Sequence, residues 1–348
     1  MAIERHAILP PLRGGDDAGD GAPLGFGLEV SVTQVATHPE FIWWNGERRP
    51  WDECTIHVTE LGWSTIGAVF EGIRAYTGDD DRLYIFRLRE HLERLERSMR
   101  LVRFTLEYDL DELTDAIIDL LQANDIHEDT YIRPLAYAAE TSGKRFAQLG
   151  QETALLINTS PMSSHLRSGM TQTAKVSSWR RISEDVMPPR VKNLSNYRNS
   201  QLAGMEARQD GYDTAILLNH LGKVSEGPGA CVMLVSDNQV ITPDVGSGIL
   251  ESITRDALIV LAREVLGLEV VERHVDRTEL YLADEVFTCG TAAEVSPIVA
   301  VDKYTVGNGQ IGPVTRALES AFNDVLRGRD ARYAHWRTPV QTAVAAAV

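Results

Sequence analysis

Residues 186–204 read VMPPRVKNLSNYRNSQLAG, with one lysine, two arginines and no acid, in a chain of 348 residues that carries 50 acidic side chains against 34 basic ones. Pro188 and Pro189 have no amide hydrogen for a sheet ladder and restrict their neighbours, so the chain is interrupted here between two halves. A helix is expected soon after, from about 198 to 210. Lys192 sits on the connection, flanked by Arg190 and Arg198 and far in sequence from any carboxylate. A lysine amine attacks a carbonyl only when unprotonated, and burial together with nearby cations disfavours its charged form. Taken alone, a loop lysine is more often a solvated surface residue.

Towards the N-terminus, RLYIFRLREHLERLERSMRLVRF (82–104) passes from a short strand into a helix. Leu88, Leu92, Leu95 and Met99 step by four, three and four and mark one buried face, with Arg94 beside it. DELTDAIIDLLQA (111–123) repeats the pattern with Leu113, Ile117, Leu120 and Leu121, and TYIRPLAYAAE (130–140) reads as a strand. FIWWNGERRPWDECTIHV (41–58) holds an Asn-Gly hairpin signal, with an intervening segment longer than a two-residue turn. PPLRGGDDAGDGAPLG (10–25) shows no periodic apolar face and suggests a flexible extension over 1–35.

Towards the C-terminus, TALLINTSP (153–161) and TAKVSSWRR (173–181) read as strands, residues 215–243 as short strands joined by Gly and Asn turns, and about 253–266 and 312–326 as helices. The chain is long enough for two domains, and a cleft between them is a natural ligand site. The expected organisation is an α/β (α+β) fold: extension 1–35, small α/β domain 36–180, interdomain loop 181–190, larger domain 191–337 and tail 338–348.

Hydrophobic residues at 43% and charged residues at 24% are ordinary globular usage. A net charge of −16 disfavours a surface built for nucleic acid. Cys54, Cys231 and Cys289 are odd in number and without a CxxC, which fits a reducing cytoplasm rather than a disulfide framework. The histidines form no HExxH pair and no metal is expected. No apolar run approaches the ~20 residues of a membrane span, and no signal-peptide core opens the chain.

Four further features bear on chemistry. Tyr197 lies five residues beyond Lys192, where a turn into the helix returns its hydroxyl to the same pocket; a core tyrosine is the plain alternative. Glu226 precedes Gly227-Pro228-Gly229 between two strands, and a buried glutamate there is costly unless paired with a cation such as a protonated pyridine nitrogen. An exposed turn carboxylate is the alternative. GSGILESITRDALIVLAREVLG (246–267) enters a helix with the amides of Ile253 and Thr254 placed for a phosphate. VFTCGTAAEVSP (286–297) ends a strand in small residues whose amides can converge on an anion. Ordinary capping and a strand-end turn explain these last two equally well. A lysine, a pyridinium-pairing acid, two backbone cradles and an arginine are together what pyridoxal 5′-phosphate requires.

The order of FEGIRAY (70–76), FRLREHLERLERS (86–98), YIRPLAY (131–137), VSSWRR (176–181), KNLSNYRNSQLAGMEARQDGY (192–212) and VSEGPG (224–229) resembles the fold type IV pyridoxal-phosphate enzymes, and among them the branched-chain amino acid aminotransferases. SITRDA (252–257), LADEVFTCGTAAEVSP (282–297) and GPVT (312–315) continue the likeness, which runs from about 40 to 337. The resemblance implies a small α/β domain beside a larger pseudo-barrel domain. It also implies transamination between an amino acid and a 2-keto acid such as 2-oxoglutarate, and a homodimer at least.

By this resemblance Lys192 bonds the cofactor and later shuttles a proton, Glu226 faces the ring nitrogen, Tyr197 the phenolate oxygen, and Leu250 the ring face. Arg94, Ile253, Thr254 and Thr291 would hold phosphate. Tyr131 with the Thr291-Ala292 amides would take the substrate α-carboxylate, Arg74 would orient Tyr131, and Arg133 would meet the second carboxylate of glutamate. Phe70, Trp179 and Tyr197 would form apolar walls. Thr65 stands where the family commonly has a pocket tyrosine, Cys231 replaces a common asparagine, and ETSGKRFAQLG (140–150) replaces an apolar loop, with Arg145 either a basic group for a carboxylate or a side chain in solvent. Thr65 and the unusual loop motivate the alternative of an (R)-selective amine or D-amino acid transaminase, against which YIRP and FEGIR match the L-amino acid carboxylate site. A lyase of the same fold and a non-catalytic scaffold are further alternatives; a scaffold has no use for a proton shuttle.

Overall fold

A computed structural model describes residues 38–59, 61–139 and 152–340. The extension 1–35 and the loop bearing Arg145 lie outside the described residues. From His38 onward the chain forms one unit built on two sheets.

The first sheet opens with Phe41–Trp44 and Glu47–Pro50, joined by Asn45 and Gly46 at φ 49° and 91°. Two successive positive φ values are what a tight two-residue hairpin requires. The turn is therefore shorter than the apolar pattern suggests, because the second strand is a polar strand at the sheet's end, with Glu47, Arg48 and Arg49 exposed. Alternation of buried residues marks apolar strands and passes over such an edge.

Its order is 337–339, 83–86, 73–77, 130–138, 153–161, 41–44, 47–50, with Val69–Phe70 also paired to 130–138. Helices Leu88–Leu101 and Leu110–Ala123 cover this sheet. Leu88, Leu92, Leu95 and Met99 are buried as the spacing predicts, as are Leu113, Ile117, Leu120 and Leu121. The second helix starts where Asp109 accepts from the amides of Asp111 and Glu112, and Glu112 reaches back to the Asp109 amide.

The second sheet runs 269–272, 239–242, 231–236, 285–290, 294–301, 172–180, 214–218, with Tyr304–Thr305 paired to 294–301. Helices Ile253–Glu264 and Pro313–Arg327 pack on it through Leu258, Leu261, Leu318 and Phe322.

Two segments lie elsewhere than the sequence suggests. Gln172–Arg180, expected within 36–180, pairs in parallel with both Glu294–Val301 and Thr214–Leu218 and so belongs to the second sheet. Parallel neighbours need a long crossover, and helix Asn196–Gln209 supplies it. Residues 181–190 are thus the strand-to-helix loop of a βαβ unit. At the other end, Arg337–Pro339, which includes the start of the expected tail, pairs with Leu83–Phe86 of the first sheet. An apolar strand pattern shows that a segment pairs but not with which sheet.

Candidate active site

Lys192 is fixed by its backbone before its side chain matters. Its carbonyl accepts from the Phe70 amide at 3.0 Å, and the Leu194 amide donates to Ala68 at 2.8 Å, so 192–194 lie antiparallel to 68–70. Asn196 donates to the carbonyls of Pro188 and Val191 and ties the loop to the helix. Lys192 Nζ then donates to Tyr197 Oη at 2.9 Å and lies 4.9 Å from the centre of the Phe70 ring.

These groups line a cavity of about 260 Å³ that also receives Arg94, Tyr131, Glu226 and Leu250. The strand end at Thr291 and Ala292 completes its wall. Gly72 is required there, because a Cβ on it would stand 2.1 Å from the Tyr131 hydroxyl.

Two buried ion pairs set the electrostatics. Arg94 grips Glu71 through Nε to Oε1 at 2.7 Å and Nη2 to Oε2 at 2.8 Å, while its Nη1 donates to the Glu251 carbonyl at 2.7 Å. His91 contacts the same Glu71 oxygen at 2.7 Å. Burial pushes the Glu71 carboxyl up, but Arg94 and His91 outweigh it and hold it far below the usual range. Burial likewise favours neutral His91 and lowers its pKa.

Glu226 receives Arg181 Nη2 on Oε1 at 2.7 Å and the Leu250 amide on Oε2 at 2.9 Å. Here burial dominates, and the carboxyl sits above its ordinary value although Arg181 pulls it down. Neither Glu71 nor Arg181 was singled out by the sequence pattern. The available signal was two opposite charges, Glu71 and Arg74, inside the otherwise apolar AVFEGIRAY (68–76), and a second arginine in WRR.

The isolation of Lys192 in sequence is not isolation in space. Arg190 faces Glu184 and Glu251, and Arg198 is exposed beside Gln201, so neither flanking arginine acts on the amine. Burial lowers the Lys192 pKa most and Arg94 adds to this, but Tyr197, Glu71 and Tyr131 outweigh them and leave it above the ordinary lysine value. The carboxylates that reach it, Glu71 and Glu226, are each already paired with an arginine.

Other expected residues stand elsewhere. Ile253 and Thr254 form the first turn of their helix, whose amides lack intrahelical partners, while the adjacent Ser252 and Leu250 line the cavity. Arg74 lies opposite Tyr131 in the ladder but makes no hydrogen bond to it among the described residues. Its guanidinium meets Glu294 at 2.9 Å and donates to the Met162 carbonyl at 2.5 Å, because an anion from the second sheet outcompetes a neutral phenol. Arg74 thereby anchors the turn carrying Thr291 and Ala292.

Arg133 shares the Tyr131 face of its strand two residues further on, where it is exposed and donates to Asn158. Trp179 is 45% exposed, within a register break between Val176 and Arg180, and is not among the residues lining the cavity around Lys192. Thr65 bonds back to the Leu61 carbonyl and faces a separate apolar pocket with Leu61, Leu135 and Tyr137. Cys231 and Cys289 are register partners on adjacent strands and both line the cavity. Burial pushes the Cys231 thiol up to about 12. Among the described residues no cluster of His, Cys, Asp or Glu could hold a metal ion, and no helix is long and apolar enough to cross a membrane.

The donor set fits pyridoxal phosphate: an amine for its aldehyde, a carboxylate for its ring nitrogen, and an arginine beside a helix start for its phosphate. Comparison with known proteins agrees. The family of class IV amino-transferases matches residues 68–301. The branched-chain-amino-acid aminotransferase of Escherichia coli K12 is 39% identical over 292 residues, covering 83% of this chain and 94% of that protein. The PLP-form of the Thermobaculum terrenum branched-chain amino acid aminotransferase superposes with a TM-score of 0.84 at 52% identity, covering 87% of this chain and 99% of that one. The T.th. branched-chain amino acid aminotransferase complexed with N-(5′-phosphopyridoxyl)-L-glutamate gives 0.80 at 36% identity, covering 87% and 99%. The chain belongs to the class IV aminotransferases, enzymes of fold type IV that depend on pyridoxal phosphate and move an amino group between an amino acid and a 2-keto acid.

Proposed function

We propose that this enzyme transfers the amino group of branched-chain or other apolar L-amino acids to a 2-keto acid such as 2-oxoglutarate, with Lys192 as its catalytic residue. The observation that carries the reading is the meeting of Lys192, Tyr197, Glu226 and Arg94 in one cavity, with Nζ 2.9 Å from the Tyr197 hydroxyl. When bound, pyridoxal phosphate supplies an aldehyde for an amine and a ring that takes up electrons.

The chain's own residues do the rest. Lys192, held by its backbone against 68–70, takes and returns the substrate's α-proton at Nζ. Tyr197 orients that nitrogen and offers its hydroxyl to the cofactor's phenolate oxygen. With the cofactor bound, Glu226 would meet the ring nitrogen, Leu250 would pack on the ring, and Arg94 with the amides of Ile253, Thr254 and Thr291 would hold the phosphate. Tyr131 and the Thr291-Ala292 turn bind the α-carboxylate, and Phe70 walls the apolar side. Arg133, two residues along the Tyr131 face, is placed for the second carboxylate of glutamate.

The glutamate adduct of the T.th. relative and the shared name of the relatives support this donor and acceptor class. Exposed Ile56, Val58, Leu61 and Ile66 support burial against a second copy, hence a homodimer. Three unbridged thiols support a cytoplasmic location. The test is a half-reaction panel with L-leucine, L-glutamate, D-alanine and (R)-1-phenylethylamine, followed by the visible band of the bound cofactor. Bleaching by L-leucine and L-glutamate is expected; bleaching by D-alanine or the amine alone overturns the substrate assignment.

A further inference from the structure

We propose that Arg181 is a positioning residue that keeps Glu226 ionised and aimed into the cavity, so that the acid can hold a protonated ring nitrogen. The inference rests on the cofactor reading above and adds a residue that the motif pattern passes over.

Both side chains are buried, at 7% and 5% exposure, and the guanidinium meets Oε1 at 2.7 Å. Among the described residues, only the Leu250 amide donates to the other oxygen. The charged or titratable groups that act on Glu226 are Arg181, Lys192 and Arg94, with the thiol of Cys231 beside it. Lys192 is engaged by Tyr197 and Arg94 by Glu71, so among the described residues Arg181 is the cation in direct contact with Glu226. Arg181 is itself held by its Nε on the Gly248 carbonyl at 3.4 Å, on the chain that leads to Leu250.

A carboxyl in this setting without its arginine would protonate and become a donor. A protonated acid offers the ring nitrogen a hydrogen rather than accepting one, and the ring loses the positive charge that draws electrons. An arginine in contact typically lowers a carboxyl pKa by about 1–3 units, so its loss should raise the Glu226 midpoint by at least about one unit.

The test compares wild type, Arg181→Gln and Arg181→Lys. Carbon-13 NMR of labelled glutamate, assigned by Glu226→Gln, reads the Glu226 carboxyl in protein stripped of cofactor. The pH dependence of kcat reads it in the loaded enzyme. R181Q should move the carboxyl midpoint and the acid limb of kcat upward together, and R181K should restore most of the shift. Superimposable titrations of wild type and R181Q overturn the proposal. If R181Q does not fold, the wild-type titration still decides, since a Glu226 that is protonated at pH 7 contradicts it. If wild type binds no pyridoxal phosphate, the functional reading falls while the NMR arm still reports on Arg181.

Discussion

The two ion pairs at the cavity each join an arginine to a glutamate, but they present different groups to it. At Arg94 the cation lines the cavity and its counter-ion Glu71 is fully buried away from it; at Glu226 both the anion and its partner Arg181 line the cavity. Glu71 is met twice by Arg94 and once by His91, whereas Glu226 has one arginine nitrogen and one amide. Burial is therefore overcome at Glu71 and dominates at Glu226, and the two carboxyls move in opposite directions. A glutamate saturated with donors serves as a brace, and one left partly unmatched can still receive a proton-bearing partner. Consecutive residues join the pairs, with the Leu250 amide on Glu226 and the Glu251 carbonyl on Arg94.

The sharpest break in this scheme is Lys192→Ala, which leaves both pairs standing and removes the amine influenced by them. Its kcat should fall by roughly 10⁴-fold, at the upper end for loss of a positioned proton carrier, with unchanged circular dichroism. Activity within tenfold of wild type would end the assignment.

Glu71→Gln strips the brace and leaves Arg94 buried and unpaired, which typically costs about 3–5 kcal/mol. Denaturant titration of cofactor-free protein should show that loss. The sign with pH follows from linkage. Glu71 has a folded pKa below its reference of 4.5, so its stabilisation is present above that pH and drains away as pH falls. The variant should therefore lose less stability than wild type between pH 5 and 3; parallel curves would show that Glu71 is no brace.

Glu226→Gln tests the other pair. It should lower kcat by about 10²–10³-fold, the scale for losing one preorganised electrostatic contact, while stability changes less than in Glu71→Gln. Equal destabilisation with intact kcat would make Glu226 a second brace and erase the difference. Smallest of all, Trp179→Ala should change KM for L-leucine by less than about threefold, since exposed side chains typically contribute within 0.5 kcal/mol. A tenfold rise would return Trp179 to the substrate wall.

The helices were legible because their apolar steps are local: Leu88, Leu92, Leu95 and Met99 point one way whatever the chain does later. The placing of Lys192, Tyr197, Glu226 and Arg94 rested on motif order, and the cavity brings these four together. Pairings between distant segments were not legible. Nothing local says that Gln172–Arg180 joins the second sheet, that Arg74 meets Glu294, or that Arg181 meets Glu226, because each depends on a partner far away in the chain. Trp179 is exposed within a register break that no residue pattern announces.

The central claim is that the cofactor is tethered at one amine beside Tyr197. Borohydride reduction of the loaded enzyme, followed by proteolysis and mass spectrometry, tests it directly. A phosphopyridoxyl mass is expected on the peptide containing Lys192 and none in Lys192→Ala. A label on another lysine, or the same label persisting in that variant, would contradict it.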